Sequence, residues 1–160
     1  MKHELVHRYT CEGCGETVYS AADRGGRGMK LIIAGSRDIT LTCACRAVEG
    51  ALEKTGWCHA ITEVVSGASG NVDKIGEFWA ELMELPIKRF PADWDKHGKA
   101  AGPIRNRAMA EYADALLAVW DGESKGTANM ILEMHRMGKP VFVWRVGKEA
   151  ASDILANAAN

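Results

Sequence analysis

The sequence predicts an α/β fold built on a doubly wound, parallel five-stranded sheet in the order 3-2-1-4-5. Three observations carry that expectation. Short apolar runs alternate with amphipathic stretches of helical period from residue 30 to residue 144. Two of the runs, 30–34 and 115–120, are apolar nearly throughout, as in strands buried on both faces. Glycine- and serine-rich turns follow several of the runs and lead towards helix N-termini.

The elements follow in order. Lys30-Leu31-Ile32-Ile33-Ala34, closed by Gly35, is the first strand. Thr40 is placed to cap a helix in which Leu41, Cys45, Val48 and Leu52 recur at i, i+4, i+7 and i+11, and Gly56 ends it. The second strand runs from Ile61 to Val65 and stops at Ser66-Gly67. A helix starts near Asn71 with Val72, Ile75, Trp79 and Leu82 on one face. Ile87-Lys88-Arg89-Phe90 is more polar and suits a sheet edge. Pro103 is placed as the first residue of the third helix, which leaves 91–102 as a long loop. Ala115 to Trp120 is the fourth strand. Thr127 is placed to cap a helix carrying Met130, Ile131, Met134 and Met137, with Gly138 and Pro140 as stop signals. Val141-Phe142-Val143-Trp144 closes the sheet, and a weak helix is expected from Lys148. Right-handed crossovers then give a Rossmann-like sheet whose switch point lies between the first and fourth strands, where ligands bind at the carboxyl ends.

Composition bounds the rest. The chain has 160 residues, enough for one full domain and a short appendage. Residues 1–29 are polar and end in a Gly/Arg-rich stretch, 23–28, that reads as a linker, so the division expected is 1–29 and 30–160. The net charge of −1 advertises neither nucleic acid nor an acidic membrane. No apolar run approaches the roughly 20 residues of a membrane span, and residues 1–4 lack a signal core. Five cysteines at irregular spacing argue for reduced thiols or a metal site. Together these favour the cytoplasm.

Four loops meet on the carboxyl edge. They are Gly35-Ser36-Arg37-Asp38, then 66–73 with Ser66, Gly67, Ala68, Gly70 and Asp73, then 91–107, then 121–127 with Asp121, Gly122, Glu123, Lys125, Gly126 and Thr127. Glycine lets backbone N–H groups approach a ligand, and a helix N-terminus favours an anion. Arg37, Arg105 and Lys125 add cations on the same edge. No G-x-G-x-x-G follows the first strand, and Ser66 stands where a ribose-binding acid is expected, which argues against ordinary NAD binding. Gly122 to Thr127 lacks the spacing and lysine of a Walker loop. In the long loop, Trp94 is placed to stack on a base and His97 to contact a phosphate or move a proton.

Gly35-Ser36-Arg37, Ser66-Gly67-Ala68 with Gly70 and Asp73, Pro91-Ala92-Asp93-Trp94 with His97-Gly98, and Ala101-Gly102-Pro103 with Arg105-Asn106 resemble the YspA-like branch of the SLOG superfamily. The resemblance covers about residues 30–145, and its block from Pro91 to Met109 is the specific part. It implies a fold similar to the LOG phosphoribohydrolases and to DprA, and binding of nucleotides or nucleotide-derived ligands. The hydrolases carry G-G-x-G-T-x-x-E after the fourth strand. Gly126-Thr127 matches the G-T, but Met130 stands where the catalytic Glu belongs and cannot transfer a proton. Asp73, Glu123 or His97 are the candidates for acid–base work in its place.

In the appendage, Cys11 and Cys14 have the C-x-x-C spacing of half a zinc knuckle. His3 and His7, Cys43 or Cys58, or a second subunit would complete four ligands. The alternatives are a redox pair, disfavoured because no strand precedes it, and two ordinary thiols. Cys45, on the apolar helix face, is expected in the core. The expected partner is a nucleotide-like small molecule, with no membrane, nucleic acid disfavoured, and a homo-oligomer as the assembly. Three functions compete: a nucleotide sensor or sequestering module, an enzyme cleaving an N-glycosidic or phosphate bond, and a nucleic-acid accessory protein using Arg24 and Arg27. Met130 favours the first over the second.

Overall fold

A computed structural model describes residues 8–10, 17–19 and 28–147. Near the N-terminus β1 (Arg8–Thr10) pairs antiparallel with β2 (Thr17–Tyr19), Tyr9 opposite Val18. Cys11, Cys14, His3, His7 and the linker arginines Arg24 and Arg27 lie outside the described residues, as does the helix expected from Lys148. The zinc expectation therefore falls there too.

The main sheet holds β3 (Met29–Gly35), β4 (Ile61–Ser66), β5 (Ile87–Arg89), β6 (Ala115–Trp120) and β7 (Val141–Arg145). All pairings are parallel and the order is β5-β4-β3-β6-β7, which is 3-2-1-4-5 counted along the domain. The runs at 30–34 and 115–120 are neighbours, with Leu31 opposite Ala115 and Ile33 opposite Leu117. Leu31, Ile32, Ile33, Leu116 and Leu117 are wholly buried, as strands covered on both faces must be.

Side-chain alternation splits the core in two. Leu31 and Ile33 face α1 (Leu41–Thr55) and α2 (Asn71–Leu82). Ile32 and Leu116 face α4 (Ala101–Tyr112) and α5 (Lys125–Arg136). Thr40 caps α1, accepting from the Cys43 N–H, and Gly56 closes it in the left-handed region at φ 64°.

Four expectations are corrected. The buried stripe of α1 is Cys43, Ala44, Ala47, Val48, Ala51 and Leu52, so Cys43 is the core cysteine, Cys45 is only half-buried, and Leu41 is exposed. On α2 Val72, Gly76 and Ala80 make the innermost line, Ile75 and Trp79 pack against the core beside it as expected, and Leu82 alone of the expected face is exposed. The helix lies so close to the sheet that a Cβ on Gly76 would sit 2.8 Å from Ile33, so small residues make the contact. Residues 91–102 are not a structureless loop. They form α3 (Trp94–His97), a 3₁₀ turn (Gly98–Ala100) and the start of α4, in which Pro103 is the third residue. Finally, Ser124 and not Thr127 caps α5, its Oγ accepting from the Thr127 N–H. Among the described residues no helix is long and apolar enough to cross a membrane.

Candidate functional site

The carboxyl ends of β3, β4 and β6 open onto a cleft of about 680 Å³. The expected residues Gly35 and Arg37 from the β3 loop, Gly67 and Asp73 from the β4 side, Trp94, Arg105 and Asn106 from α3 and α4, and Asp121, Glu123, Lys125, Gly126 and Thr127 from the β6 side all line it. The parallel topology explains this: each strand ends at the same edge, and each helix starts there. Six others do not line the cleft. Ser36 and Ser66 are buried beneath it, Ala68, Gly70 and Gly122 shape its loops, and His97 is exposed on α3 and turned to solvent.

Arg105 is held rigidly. Its Nη1 donates to the Gly67 carbonyl at 2.6 Å and its Nε to Asn106 Oδ1 at 3.0 Å. Burial pushes its guanidinium below the ordinary arginine value; Asp73 pulls back up, and the positive charge of Arg37 pushes down again. Gly67 permits this approach, since a Cβ there would meet Nη1 at 2.6 Å.

Asp73 is 3% exposed at the first turn of α2. Its Oδ2 accepts from the Ser69 N–H at 2.9 Å and the Ser69 hydroxyl at 3.1 Å. Burial raises its pKa from the ordinary aspartate value, and the Ser69 bonds and the Arg105 charge only partly offset that. Nearby Ala68 has φ 51°, a left-handed conformation that is strained for a residue with a Cβ.

The β6 loop is built by side-chain caps. Asp121 Oδ1 accepts from the Glu123 and Ser124 N–H groups at 2.9 and 2.8 Å, and Gly122, at φ 85°, makes the turn. Ser36 Oγ lies 3.4 Å from Thr127 Oγ1 and accepts from the Asp121 N–H at 3.2 Å, tying this loop to the β3 loop. Gly126 has nothing within 4 Å of where a Cβ would stand, so the first turn of α5 is open to the cleft.

Asn106 is 6% exposed, and its polar atoms are occupied by protein. Oδ1 takes the Arg105 Nε–H, and Nδ2 donates to the Gly126 carbonyl at 3.2 Å and to Asn129 Oδ1 at 3.0 Å. It is therefore a strut between α4 and α5. Asp38, Ser69, Lys99, Ser124 and Asn129 also line the cleft and were not singled out as site residues by sequence. The signal for Asn129 was its spacing: it lies one helical turn from Gly126 on the same face. Met130, where a catalytic Glu would stand, is 2% exposed and packs into the α4–α5 core while touching the cleft floor.

Among solved structures, DNA processing protein A (DprA) from Streptococcus pneumoniae superposes with a TM-score of 0.61 at 16% identity, over 82% of this chain. The chain spans 56% of that DprA chain, and the likeness is one of fold. The Gene 61 protein of Mycobacterium phage D29 is 37% identical over 85 residues, which are 49% of this chain and 68% of the phage protein. The model of the YspA, cpYpsA-related SLOG family matches residues 29–97, from β3 to the end of α3. With that match and the phage relative together, the chain belongs to the YspA, cpYpsA-related SLOG family.

Proposed function

We propose that the cleft binds a nucleotide or a similar phosphate-bearing ligand, and that the protein is a sensor or sequestering module for it. The observation that carries this reading is Arg105. It is a cation pressed out of water, fixed by a carbonyl and an amide oxygen, and repelled by Arg37 across the same cleft. An anion between Arg37 and Arg105 relieves that repulsion, and the first turn of α5, uncrowded at Gly126, brings its positive end beside it. Family membership fits a nucleotide-related or nucleic-acid-associated role.

The test is calorimetric titration of nucleoside mono- and diphosphates and cyclic dinucleotides. Charged hydrogen bonds contribute on the order of 1.5–3 kcal/mol each, so Arg37→Ala and Arg105→Ala are expected to weaken binding roughly 10- to 150-fold. Full affinity in both variants with a ligand that binds wild type refutes the placement.

A second reading, hydrolysis of a nucleotide's N-glycosidic or phosphate bond, is favoured by Asp73, a carboxyl whose raised pKa suits proton transfer. Release of free base from AMP at about 1 per second or faster would establish it. The name of DprA raises DNA as a partner. Against that, Arg37, Lys99, Arg105 and Lys125 in the cleft are matched by Asp38, Asp73, Asp121 and Glu123, where a track for a polyanion is one-signed.

A further inference from the structure

Trp94 is an anomaly in the packing. It is 48% exposed, and the whole segment from Asp93 to Ala100 is exposed with it. Nothing in the core needs this segment, yet it is closely ordered. Asp93 caps it, accepting from the Lys96 N–H at 3.0 Å. The His97 N–H donates to the Asp93 carbonyl at 3.0 Å, and Gly98 ends the helix at φ 54°, a conformation other residues avoid. The segment thus spends four exposed helical residues on holding one large ring at the mouth of the cleft, above the start of α4 at Gly102.

One face of that ring is already taken. The Arg37 guanidinium lies 5.4 Å from the indole centroid, within cation–π range. Arg37 is an exposed cation of the site, as Lys99 and Lys125 are, but it is the one that lies over the indole; Arg105 is the fixed one. The two halves of a nucleotide therefore compete for connected groups: its phosphate for Arg37, its base for the ring that Arg37 covers.

We infer that Trp94 is the base platform of the site and that the Arg37–Trp94 pair makes it selective for ligands carrying an aromatic base and a phosphate together. The phosphate draws Arg37 towards Arg105 and Gly126, and this uncovers the indole for the base. A free nucleoside must displace the guanidinium without an anion to receive it. A sugar phosphate takes Arg37 but leaves the indole in water. This deepens the nucleotide reading and rests on it. Stacking tolerates any base, so the selectivity is for the class and not for one member.

The experiment uses the full chain as wild type, Trp94→Ala, Trp94→Phe and Arg37→Ala. The probes are AMP, UMP and ribose 5-phosphate, which has the same sugar and phosphate but no base. Wild type is expected to bind at least one of the nucleotides more tightly than ribose 5-phosphate. Trp94→Ala is expected to lose about 5- to 150-fold for that nucleotide, the range that stacking one base on one aromatic ring spans, and less than 2-fold for ribose 5-phosphate. Trp94→Phe should recover most of the loss, and Arg37→Ala should weaken both probes. The wild-type minus Trp94→Phe emission should change with ribose 5-phosphate alone, as the guanidinium leaves the ring. A half-exposed side chain contributes little to stability, so the melting point of Trp94→Ala should stay within a few degrees of wild type. If ribose 5-phosphate binds and the base adds nothing, or if Trp94→Ala weakens both probes equally, the platform is refuted and the phosphate site stands. If no probe binds, selectivity for the class falls and the platform with it, and the nucleotide reading is then decided by the wider panel of diphosphates and cyclic dinucleotides.

Discussion

Asn106→Ala tests whether the cleft is preorganised by its buried amide. The substitution removes three hydrogen bonds: one from the Arg105 Nε–H, one to the Gly126 carbonyl and one to Asn129 Oδ1. The two neutral bonds are worth about 1 kcal/mol each and the charged one about 1.5–3. Water from the cleft can reach some of the freed groups, so the net loss is about 2–4 kcal/mol. For a chain of this length that is a melting point lower by roughly 5–15 °C. Affinity should fall as well, because Arg105 loses one of its two short anchors and α5 loses its tie to α4. Asn106→Asp discriminates further. It keeps the acceptor for Arg105 but turns a carboxylate towards two oxygens, so it should be unstable at neutral pH and recover as acid restores a proton. Thermal melts by circular dichroism and calorimetry with the nucleotide that binds best are the assays. An Asn106→Ala chain that melts within 2 °C of wild type and binds normally would refute the reasoning.

Three further outcomes are expected. Gly67→Ala places a Cβ 2.6 Å from Arg105 Nη1, so the fold should survive with a stability loss of about 1–3 kcal/mol while ligand affinity falls about tenfold or more; unchanged affinity would show that the Gly67 contact does not position Arg105. Because burial raises the native pKa of Asp73, the folded chain takes that proton before the unfolded chain does, and Asp73 adds stability as pH falls from the raised value towards about 4. The melting-point difference, wild type minus Asp73→Asn, should therefore grow on acidification through that window, and a flat or shrinking difference counts against it. Protein purified without chelator should carry about one zinc per chain, lost in Cys11→Ser and Cys14→Ser; elemental analysis well below one removes the idea.

Much of the fold was legible because its signals are local. Thr40 and Gly56 bracket α1 by capping chemistry alone, and the apolar runs at 30–34 and 115–120 announce the two central strands. The misreadings have physical causes. The inner face of α1 is built from Ala44, Ala47 and Ala51, small residues that carry little periodic signal beside Leu41 and Cys45. Trp94–His97 buries nothing, so no hydrophobic period marks it as a helix. Ser124 and Thr127 are both good caps three residues apart, and only the geometry shows that one caps the other's N–H. In the site, the loops were legible because strand ends in a parallel sheet share one edge. The role of Asn106 was not, since its partners Gly126 and Asn129 lie 20 and 23 residues away and become neighbours only when α4 meets α5.

The pairing of β3 with β6 also sets the order in which the chain can become safe from aggregation during synthesis. β3 emerges early, but the partner for its Leu31 is Ala115, 84 residues later in the chain. Until then one edge of β3 is uncovered, and Leu31, Ile32 and Ile33, wholly buried in the finished molecule, lack part of their cover. A fragment that ends at residue 114, just before β6, is therefore expected to be insoluble, although it contains all of the residues matched to the family. A stalled ribosome yields no half-sized working domain. Slow, non-local closure of this kind makes residues 115–145 the part on which the solubility of residues 29–35 depends.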